Sequence, residues 1–159
     1  MITFEENGGR FVYRVSGVAQ VGDRVLLHQA ARDDYWSLPG GRCEMGEPSR
    51  ETLKREMREE LGVEVQVGTL LWVVENFFEH CGVPYHELGL YYSMTFPGDC
   101  FLYRGRGPFR GDEEGLELIF KWFGLEELDE SGLLPTFLRR SLRSLPKTTE
   151  HVVHRDQVQ

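Results

Sequence analysis

The chain has 159 residues, of which 40% are hydrophobic and 28% are charged, and its formal net charge at pH 7 is −8. This length predicts a single domain over residues 1–159, with a polar segment from about residue 146. The acidic balance argues against binding to long nucleic acid, which requires many phosphate contacts, and no apolar run reaches membrane-spanning length. Three cysteines without paired spacing, and an N-terminus without a secretory pattern, predict a reduced, cytoplasmic protein.

The N-terminal third is rich in strand signals. Residues 11–21 and 24–29 are predicted strands, and Gly22-Asp23 between them is a typical hairpin turn. A loop containing Pro39-Gly40-Gly41 follows. Residues 48–61 then show helical periodicity, with proline at the first position. Gly62 suits a left-handed cap, so we expect the helix to end there.

The remainder predicts strands and one more helix. Residues 63–78 and 85–96 are predicted strands separated by a turn at 80–84, and Gly68 marks a bulge or bend. Four further segments follow in chain order: a long loop over 97–115, a strand over 116–123, a short helical turn over 126–130 and a helix over 135–145. Residues 151–153 are a candidate edge strand. This order indicates a mixed α/β domain.

The predicted helix over residues 48–61 concentrates acidic side chains on one side. Next to its apolar stripe lies an arc with three carboxylates, those of Glu56, Glu59 and Glu60. Their Cβ atoms lie about 5–6 Å apart, and each pair of charges repels by about 1–3 kcal/mol. A cation relieves this repulsion, and hard oxygen ligands suit Mg²⁺ or Mn²⁺. We therefore predict a divalent-metal site rather than the alternative, a solvated acidic face with salt bridges.

Residues 41–63, GRCEMGEPSRETLKREMREELGV, fill every specified position of the pattern G-x5-E-x7-R-E-U-x-E-E-x-G-U, where U is a bulky aliphatic residue. This segment, called the box below, resembles the Nudix hydrolase family. The preceding residues 36–40, WSLPG, are similar to its MutT-type members. The resemblance covers residues 36–63 and implies the Nudix fold, an α/β fold with a mixed β-sheet sandwiched between α-helices.

The resemblance also implies site residues. Catalytic roles fall to Glu56, Glu59 and Glu60, with Glu56 the first candidate for the general base. The same three carboxylates and the carbonyl of Gly40 are the implied metal ligands. A further acid often comes from outside the box, and Glu114 and Glu117 are the candidates. Alternation in the strand over 116–123 places Glu117 opposite its apolar face, so Glu117 is either a site residue or a solvent-facing charge.

Other box residues are predicted to be structural: Gly41, Glu47, Arg55 and Gly62. We expect Arg55 to pair with Glu47 and so hold the loop against the helix, the alternative being direct contact with a substrate phosphate. Phe78 and Trp36 are candidates for stacking on a nucleobase, and core packing is the alternative for both. Arg104, Arg106 and Arg110 lie in a glycine-rich loop and are predicted to be solvated.

The implied activity is hydrolysis of a phosphoanhydride bond, dependent on Mg²⁺ or Mn²⁺. Its substrate is a small nucleotide, either a nucleoside triphosphate or a nucleoside diphosphate linked to another group. Two alternatives stay open, a nucleotide-sensing module without turnover and a pyrophosphohydrolase acting on RNA 5′ ends. Neither the base preference nor the leaving group follows from the sequence. A homodimer is compatible with the family, and no residue pattern decides it.

Overall fold

A computed structural model describes residues 1–156 of this protein. The strands are β1 (Thr3–Glu6), β2 (Gly9–Val18), β3 (Gln20–Val21), β4 (Arg24–Ala30), β5 (Gly40–Arg42), β6 (Gln66–His80), β7 (Val83–Thr95), β8 (Phe109–Glu113), β9 (Leu116–Gly124) and β10 (Glu150–Arg155). The helices are α1 (Ser49–Leu61) and α2 (Leu138–Ser141), and 3₁₀ turns occupy Phe101–Tyr103 and Leu125–Glu130. Within these residues no helix has the length and hydropathy needed to cross a membrane.

The strands form two sheets. The larger sheet is mixed and has the order β1-β2-β7-β6-β10, with β5 paired to β2. In it β2 runs parallel to β7, and β10 runs parallel to β6 at the edge, which confirms the predicted edge strand. The smaller sheet is antiparallel, in the order β3-β4-β9-β8. The predicted strand over 11–21 is therefore two strands, because the chain leaves the mixed sheet after Val18.

Helix α1 covers one side of the sheets. Its apolar stripe buries Leu53 and Met57 completely, in a core shared with Leu26 and Phe120 of the smaller sheet. Gly62 has φ 67° and its N–H bonds to the carbonyls that end the helix, as the sequence predicted. We call this the α1 side. Neighbouring residues of β4 point to opposite sides, and Val25 and Leu27 enter the second core with Leu138 of α2.

Two segments that follow β7 also differ from the prediction. The predicted loop over 97–115 contains strand β8, which pairs along β9. Its glycine and arginine residues are not typical of a strand, so it was predicted as a loop. The predicted helix over 135–145 is α-helical only at Leu138–Ser141. Tight i to i+3 hydrogen bonds flank that turn on both sides, and Pro146 disfavours helical geometry in the residue before it. The short helix still buries Leu138 fully, and Leu142 directly after it is also fully buried.

The β6–β7 hairpin is the longest antiparallel pair, and it turns at Cys81-Gly82. Both turn residues have positive φ, 51° and 77°, which matches the twist that a two-residue hairpin requires. The register shifts between Val67 and Leu70, so the bulge predicted near Gly68 is confirmed. Cys81 is exposed, whereas the other two cysteines, Cys43 and Cys100, are buried.

Candidate active site

The acids of α1 have two different environments. Glu56 and Glu60 are buried, with 8% and 4% of their surface exposed, whereas the Glu59 side chain is 59% exposed. Carboxylate oxygens of Glu56, Glu60 and Glu113 all lie within 4.8 Å of one another. Three acids from two elements therefore converge on one point, and two of them are withdrawn from water.

Glu60 is the least compensated member of this group. Neither of its carboxylate oxygens has a hydrogen-bond partner within residues 1–156, and the nearest ring nitrogen, Nδ1 of His28, is 3.9 Å from Oε2. Burial, followed by the charge of Glu56, raises the pKa of Glu60 to about 9. Burial also raises the pKa of Glu56. Buried polar groups are normally paired, so this carboxylate is suited to an added cation.

The acid that joins from outside the box is Glu113, the last residue of β8. Strand β8 lies against the C-terminal half of α1 because Gly111 has no side chain: a Cβ there would lie 2.8 Å from the carbonyl oxygen of Glu60. Of the two predicted acids, Glu114 sits in the β8–β9 turn with φ 49°. Glu117 faces Arg110, with Nε and Oε1 3.4 Å apart. The structure thus brings Glu113, rather than either predicted residue, to the carboxylates of α1.

Arg55 ties the loop to the helix. Its Nε donates to Oε1 of Glu47 at 2.7 Å and its Nη2 donates to Oε2 at 3.1 Å, a bidentate ion pair. This pairing lowers the pKa of Glu47 to about 2. Arg55 Nη1 also donates to Glu56 at 2.8 Å and to Glu59 at 3.2 Å. The geometry agrees with the structural role expected for Arg55 and Glu47, and it aligns Glu56 as well.

The two glycines before the box loop permit close approach. A Cβ on Gly41 would lie 2.2 Å from Cδ of Glu56, and one on Gly40 would lie 2.0 Å from the carbonyl oxygen of Val15. Gly40 also has φ 154°. No other residue type fits these positions without displacing the carboxylate or β2. Metal coordination by the Gly40 carbonyl stays a prediction.

The donor set fits a hard divalent cation. Its atoms are all carboxylate oxygens, which Mg²⁺ and Mn²⁺ prefer over nitrogen or sulfur. The buried, unpartnered carboxylate of Glu60 and the space that Gly41 leaves beside Glu56 both match this requirement. Glu56, Glu60 and Glu113 are the residues that would hold the cation.

Arg14 and His28 lie behind the carboxylates. Burial, and then the charge of Arg14, lowers the pKa of His28 to about 3, so the ring is neutral. Nη2 of Arg14 lies 3.4 Å from Nε2 of His28 and donates to the carbonyl of Leu38 at 3.2 Å. A neutral ring that accepts at Nε2 carries its proton on Nδ1, toward Glu60. Within residues 1–156, Nη1 of Arg14 makes no hydrogen bond.

Polar residues also lie on the side of the mixed sheet opposite α1, called the α2 side. Asn76 and Glu87 are cross-strand partners on β6 and β7, both buried, with Nδ2 and Oε1 3.4 Å apart. Oδ1 of Asn76 has no partner among the described residues, and burial raises the pKa of Glu87. This pair was not predicted from the sequence, where its signal was two polar residues at inward-facing strand positions.

The two predicted stacking residues have different surroundings. Phe78 is half-buried on the α2 side and stacks on Tyr85, with ring centroids 4.9 Å apart. Trp36 packs edge-on against Phe123 at 4.8 Å, next to the α2-side core. The alternative of core packing therefore describes Trp36 better than Phe78.

Comparison with known proteins identifies the family. The NUDIX domain model matches residues 11–145. YvcI of Bacillus subtilis (strain 168), an uncharacterised Nudix hydrolase, is 30% identical over 126 residues, covering 79% of this chain and 74% of YvcI. YjhB of the same strain, provisionally named an ADP-ribose pyrophosphatase, is 33% identical over 104 residues, covering 65% of this chain. The match spans 45% of YjhB, less than half its length.

A solved structure shows the same fold. The MutT protein of Bacillus halodurans superposes with a TM-score of 0.60 at 21% identity, covering 88% of this chain and 89% of that one. At this identity the similarity speaks for the fold alone, and it confirms the predicted Nudix fold. Together with the family match over most of the chain, it leads to one conclusion: this protein belongs to the Nudix hydrolase family.

Proposed function

We propose that this protein hydrolyses a phosphoanhydride bond in a small nucleotide, either a nucleoside triphosphate or a nucleoside diphosphate linked to another group. The observation that carries the proposal is the buried carboxylate of Glu60, unpartnered and grouped with Glu56 and Glu113. A buried carboxylate without a partner destabilises the folded state unless a cation offsets its charge. Family membership supports the same chemistry.

The proposed cation ligands are the three grouped acids, with Glu59 and the carbonyl of Gly40 as further ligands by resemblance. A bound Mg²⁺ or Mn²⁺ would neutralise charge on the phosphate oxygens and lower the pKa of an attacking water. Arg55 keeps Glu56 and Glu59 in place, because Nη1 donates to both. Arg55 thus joins the box loop to the helix and holds the proposed metal ligands in fixed positions.

Glu56 is the proposed general base. A general base works best when its pKa lies closer to the operating pH than that of an ordinary carboxylate, and burial raises the pKa of Glu56. The hydrogen bond from Arg55 keeps the carboxylate oriented. Glu56 would accept a proton from the attacking water. The oxygen of that water would form a bond to phosphorus while the bond between phosphorus and the anhydride oxygen breaks.

Arg14 is the proposed phosphate-binding residue. Its Nε and Nη2 are engaged by Ser16, His28 and the carbonyl of Leu38, whereas Nη1 is free for a ligand within the described chain. Burial keeps His28 neutral, so its ring adds no positive charge and Arg14 is the cationic side chain proposed to meet the phosphate. A guanidinium is well matched to phosphate oxygens.

The nucleoside is proposed to lie on the α2 side of β6 and β7. Phe78 and Tyr85 offer aromatic surface there, and the buried Asn76–Glu87 pair lies one step further along the same strands. The unpartnered Oδ1 of Asn76 and the raised pKa of Glu87 support recognition by hydrogen bonds. The provisional name of YjhB makes ADP-ribose one substrate to test.

The test is a substrate panel with the purified protein. Nucleoside triphosphates, nucleotide sugars, ADP-ribose, dinucleoside polyphosphates and a triphosphorylated oligonucleotide are incubated with Mg²⁺, Mn²⁺ or a chelator, and products are separated by chromatography. We expect cleavage of at least one small nucleotide with either metal and none with the chelator. Glu56→Gln should lower that rate by at least about 10³-fold.

A matched control distinguishes catalysis from general damage. Glu117→Gln removes an exposed carboxylate from the smaller sheet, which also carries Glu113. Glu117 is not one of the three converging acids, so this change should leave the rate within about threefold of the wild type. Tight nucleotide binding without any product would support the sensor alternative and refute hydrolysis. Cleavage confined to the oligonucleotide would refute the small-nucleotide substrate.

A further inference from the structure

Three successive rows of side chains cross the α2 side of the mixed sheet. The first row contains Arg14 of β2. The second contains Glu87 of β7 and Asn76 of β6, and the third contains Tyr85 and Phe78 of the same two strands. Directly paired residues point to the same side of a sheet, and successive rows lie about 6.6–6.8 Å apart along the strands. The order and the spacing of the rows are therefore fixed by the register.

The proposed metal site lies at the Arg14 end of these rows. Nε of Arg14 donates to Oγ of Ser16 at 3.4 Å, so the guanidinium leans away from the second row. Ser16 pairs with Gly40, which precedes the glycine that packs against Glu56. The third row lies at the opposite end, toward the hairpin turn. A ligand that binds Arg14 by its phosphate and stacks on the third row must cross the second.

The second row is buried and incompletely hydrogen-bonded. Asn76 is 4% exposed and Glu87 is 9% exposed. Nδ2 of Asn76 lies 3.4 Å from Oε1 of Glu87. Within residues 1–156, Oδ1 of Asn76 has no partner and Oε2 of Glu87 makes no hydrogen bond. Buried polar groups are normally paired, so these two oxygens are suited to the polar groups of a ligand.

The flanking strands do not complete this pair. His154 of β10 lies beside the amide, and its Nε2 is 3.1 Å from Oγ1 of Thr136 and 3.0 Å from Oδ1 of Asp156. On the other flank, Val12 of β2 lies beside the carboxyl group and is apolar and buried. The open oxygens are therefore left to a group from outside the described chain.

We propose that Asn76 and Glu87 bind the ribose of the substrate through its 2′ and 3′ hydroxyl groups, and that the protein therefore selects ribonucleotides over 2′-deoxyribonucleotides. This inference rests on the proposed function, in which Arg14 binds phosphate. A nucleotide has the order phosphate, ribose and base. The three rows offer a cation, open hydrogen-bonding oxygens and aromatic rings in the same order, so the second row meets the sugar.

A sugar hydroxyl suits the pair better than the edge of a base does. Burial raises the pKa of Glu87, which favours the protonated carboxyl group over the ionised one. A hydroxyl group both donates and accepts, so it pairs with Glu87 in either protonation state. The edge of a base has fixed donors and acceptors and matches only one of these states. Carboxylates also bind ribose hydroxyl groups in dinucleotide-binding folds.

The third row indicates tolerance toward the base. The rings of Phe78 and Tyr85 are stacked with their planes 16° apart, and every base has a face that can stack on an aromatic ring. Arg10, beside Tyr85, is engaged because its Nη1 donates to the Tyr85 hydroxyl at 3.1 Å and its Nε donates to Glu5 at 3.2 Å. We therefore expect affinities for different bases to agree within about tenfold.

The first test measures binding without hydrolysis. Nucleoside 5′-monophosphates contain no anhydride bond, so AMP, dAMP, 3′-deoxy-AMP and the arabinose epimer of AMP are titrated into ¹⁵N-labelled protein with Mg²⁺ and followed by NMR. AMP should bind about 10–100-fold more tightly than each analogue, because the ribose cis-diol alone pairs with both oxygens. AMP should also shift the side-chain amide signal of Asn76, which Asn76→Leu identifies by its loss. The cytidine series should behave alike.

The second test removes the pair. A double variant combines Asn76→Leu with Glu87→Met, because replacing both partners of a buried hydrogen bond by apolar groups of similar size is nearly neutral for stability. Thermal melting checks that it is folded. It should bind AMP and dAMP with affinities within about threefold of each other, whereas Glu87→Gln, which still forms hydrogen bonds, should keep a preference of at least about fivefold.

Glu75→Gln is the matched control. Glu75 is the neighbour of Asn76 in β6 and points to the other side of the sheet, where its Oε2 lies 2.7 Å from Nε2 of His151. This variant should retain the full preference of the wild type for AMP. A loss of the preference in Glu75→Gln would show that any change in β6 disturbs binding, and it would remove the support given by the double variant.

The third test uses a substrate that the panel identifies. Its kcat/KM should exceed that of its 2′-deoxy counterpart by at least about 10²-fold, since a site that binds a hydroxyl group discriminates strongly against an analogue without it. The double variant should reduce this ratio to less than about tenfold.

Four outcomes would overturn the inference. They are equal binding of AMP and dAMP by the wild type, an Asn76 signal that no monophosphate shifts, a ribose preference that the double variant retains, and a preference for one base that exceeds the preference for ribose. Equal hydrolysis of ribonucleotides and deoxyribonucleotides would refute this inference and leave the proposed function intact. Ribose-selective binding without any hydrolysis would do the reverse.

Discussion

Replacing Glu60 by Gln should stabilise the metal-free protein at neutral pH. The carboxyl has a pKa of about 9 in the fold, against an ordinary value of 4.5 in the unfolded chain. Its stability contribution is complete below pH 4.5 and is lost as the pH rises toward 9, because the unfolded chain releases its proton first. At pH 7 the free energy of unfolding is therefore lower by about 3 kcal/mol than it is below pH 4.5. Gln keeps the shape and cannot ionise, so it avoids this loss.

Urea unfolding in the presence of a chelator measures the effect. With a slope of about 2 kcal/mol per molar urea, the midpoint of Glu60→Gln should exceed the wild type by about 1–1.5 M at pH 7. The gap should widen at pH 8 and close near pH 4.5. Saturating Mn²⁺ should raise the wild-type midpoint by a similar amount, since a ligand at 100 times its Kd stabilises by about 2.7 kcal/mol. The urea midpoint of Glu60→Gln should rise much less when Mn²⁺ is added.

Glu59→Gln is the matched control. The Glu59 side chain is 59% exposed and pairs with Arg55, so its neutralisation should not stabilise the metal-free protein. The reasoning would be refuted by a Glu60→Gln variant that is no more stable than the wild type at pH 8 with chelator. A gain that does not change between pH 4.5 and pH 8 would refute it equally, because ionisation could not be its cause.

Three further changes test the site. Glu113→Gln should weaken Mn²⁺ binding by at least about tenfold by titration calorimetry, while Glu117→Gln should change it by less than about threefold. Gly41→Ala should lower the hydrolysis rate by about 10²-fold, because a Cβ there would lie 2.2 Å from Cδ of Glu56, while Gly98→Ala, with no atom within 4 Å, should not. Glu47→Gln should cost about 2 kcal/mol at pH 7 by urea unfolding, a difference that shrinks as the pH falls from 4.5 toward 2.

The box helix was predictable because its signals are local. The proline before its first turn, the apolar stripe through Leu53 and Met57, and the left-handed cap at Gly62 all act within a few residues. The prediction that it binds a divalent metal rests on the crowding of like charges on one arc. The hairpin turn at Gly22-Asp23 and the bulge near Gly68 were predictable for the same reason.

The rest of the site depends on distant pairings. Residues 112–114 are three consecutive acids, and nothing local separates Glu113 from its neighbours. The register of β8 on β9, and the missing side chain at Gly111, decide which one reaches α1. Likewise Asn76 meets Glu87 only through the register of a hairpin that turns at residues 81–82. Strand β8 was missed because pairing, rather than its own composition, makes it a strand.

The alternation of β6 has a consequence for how this protein can diverge. Asn76 and Phe78 face one side of the sheet, and Phe77 faces the other. An inserted or deleted residue within the strand would exchange the two sets, placing the amide on the α1 side and a phenylalanine beside Glu87. Homologous chains should therefore vary in the chemistry of either surface by point replacement, while differences in length accumulate at the tip formed by residues 81–82.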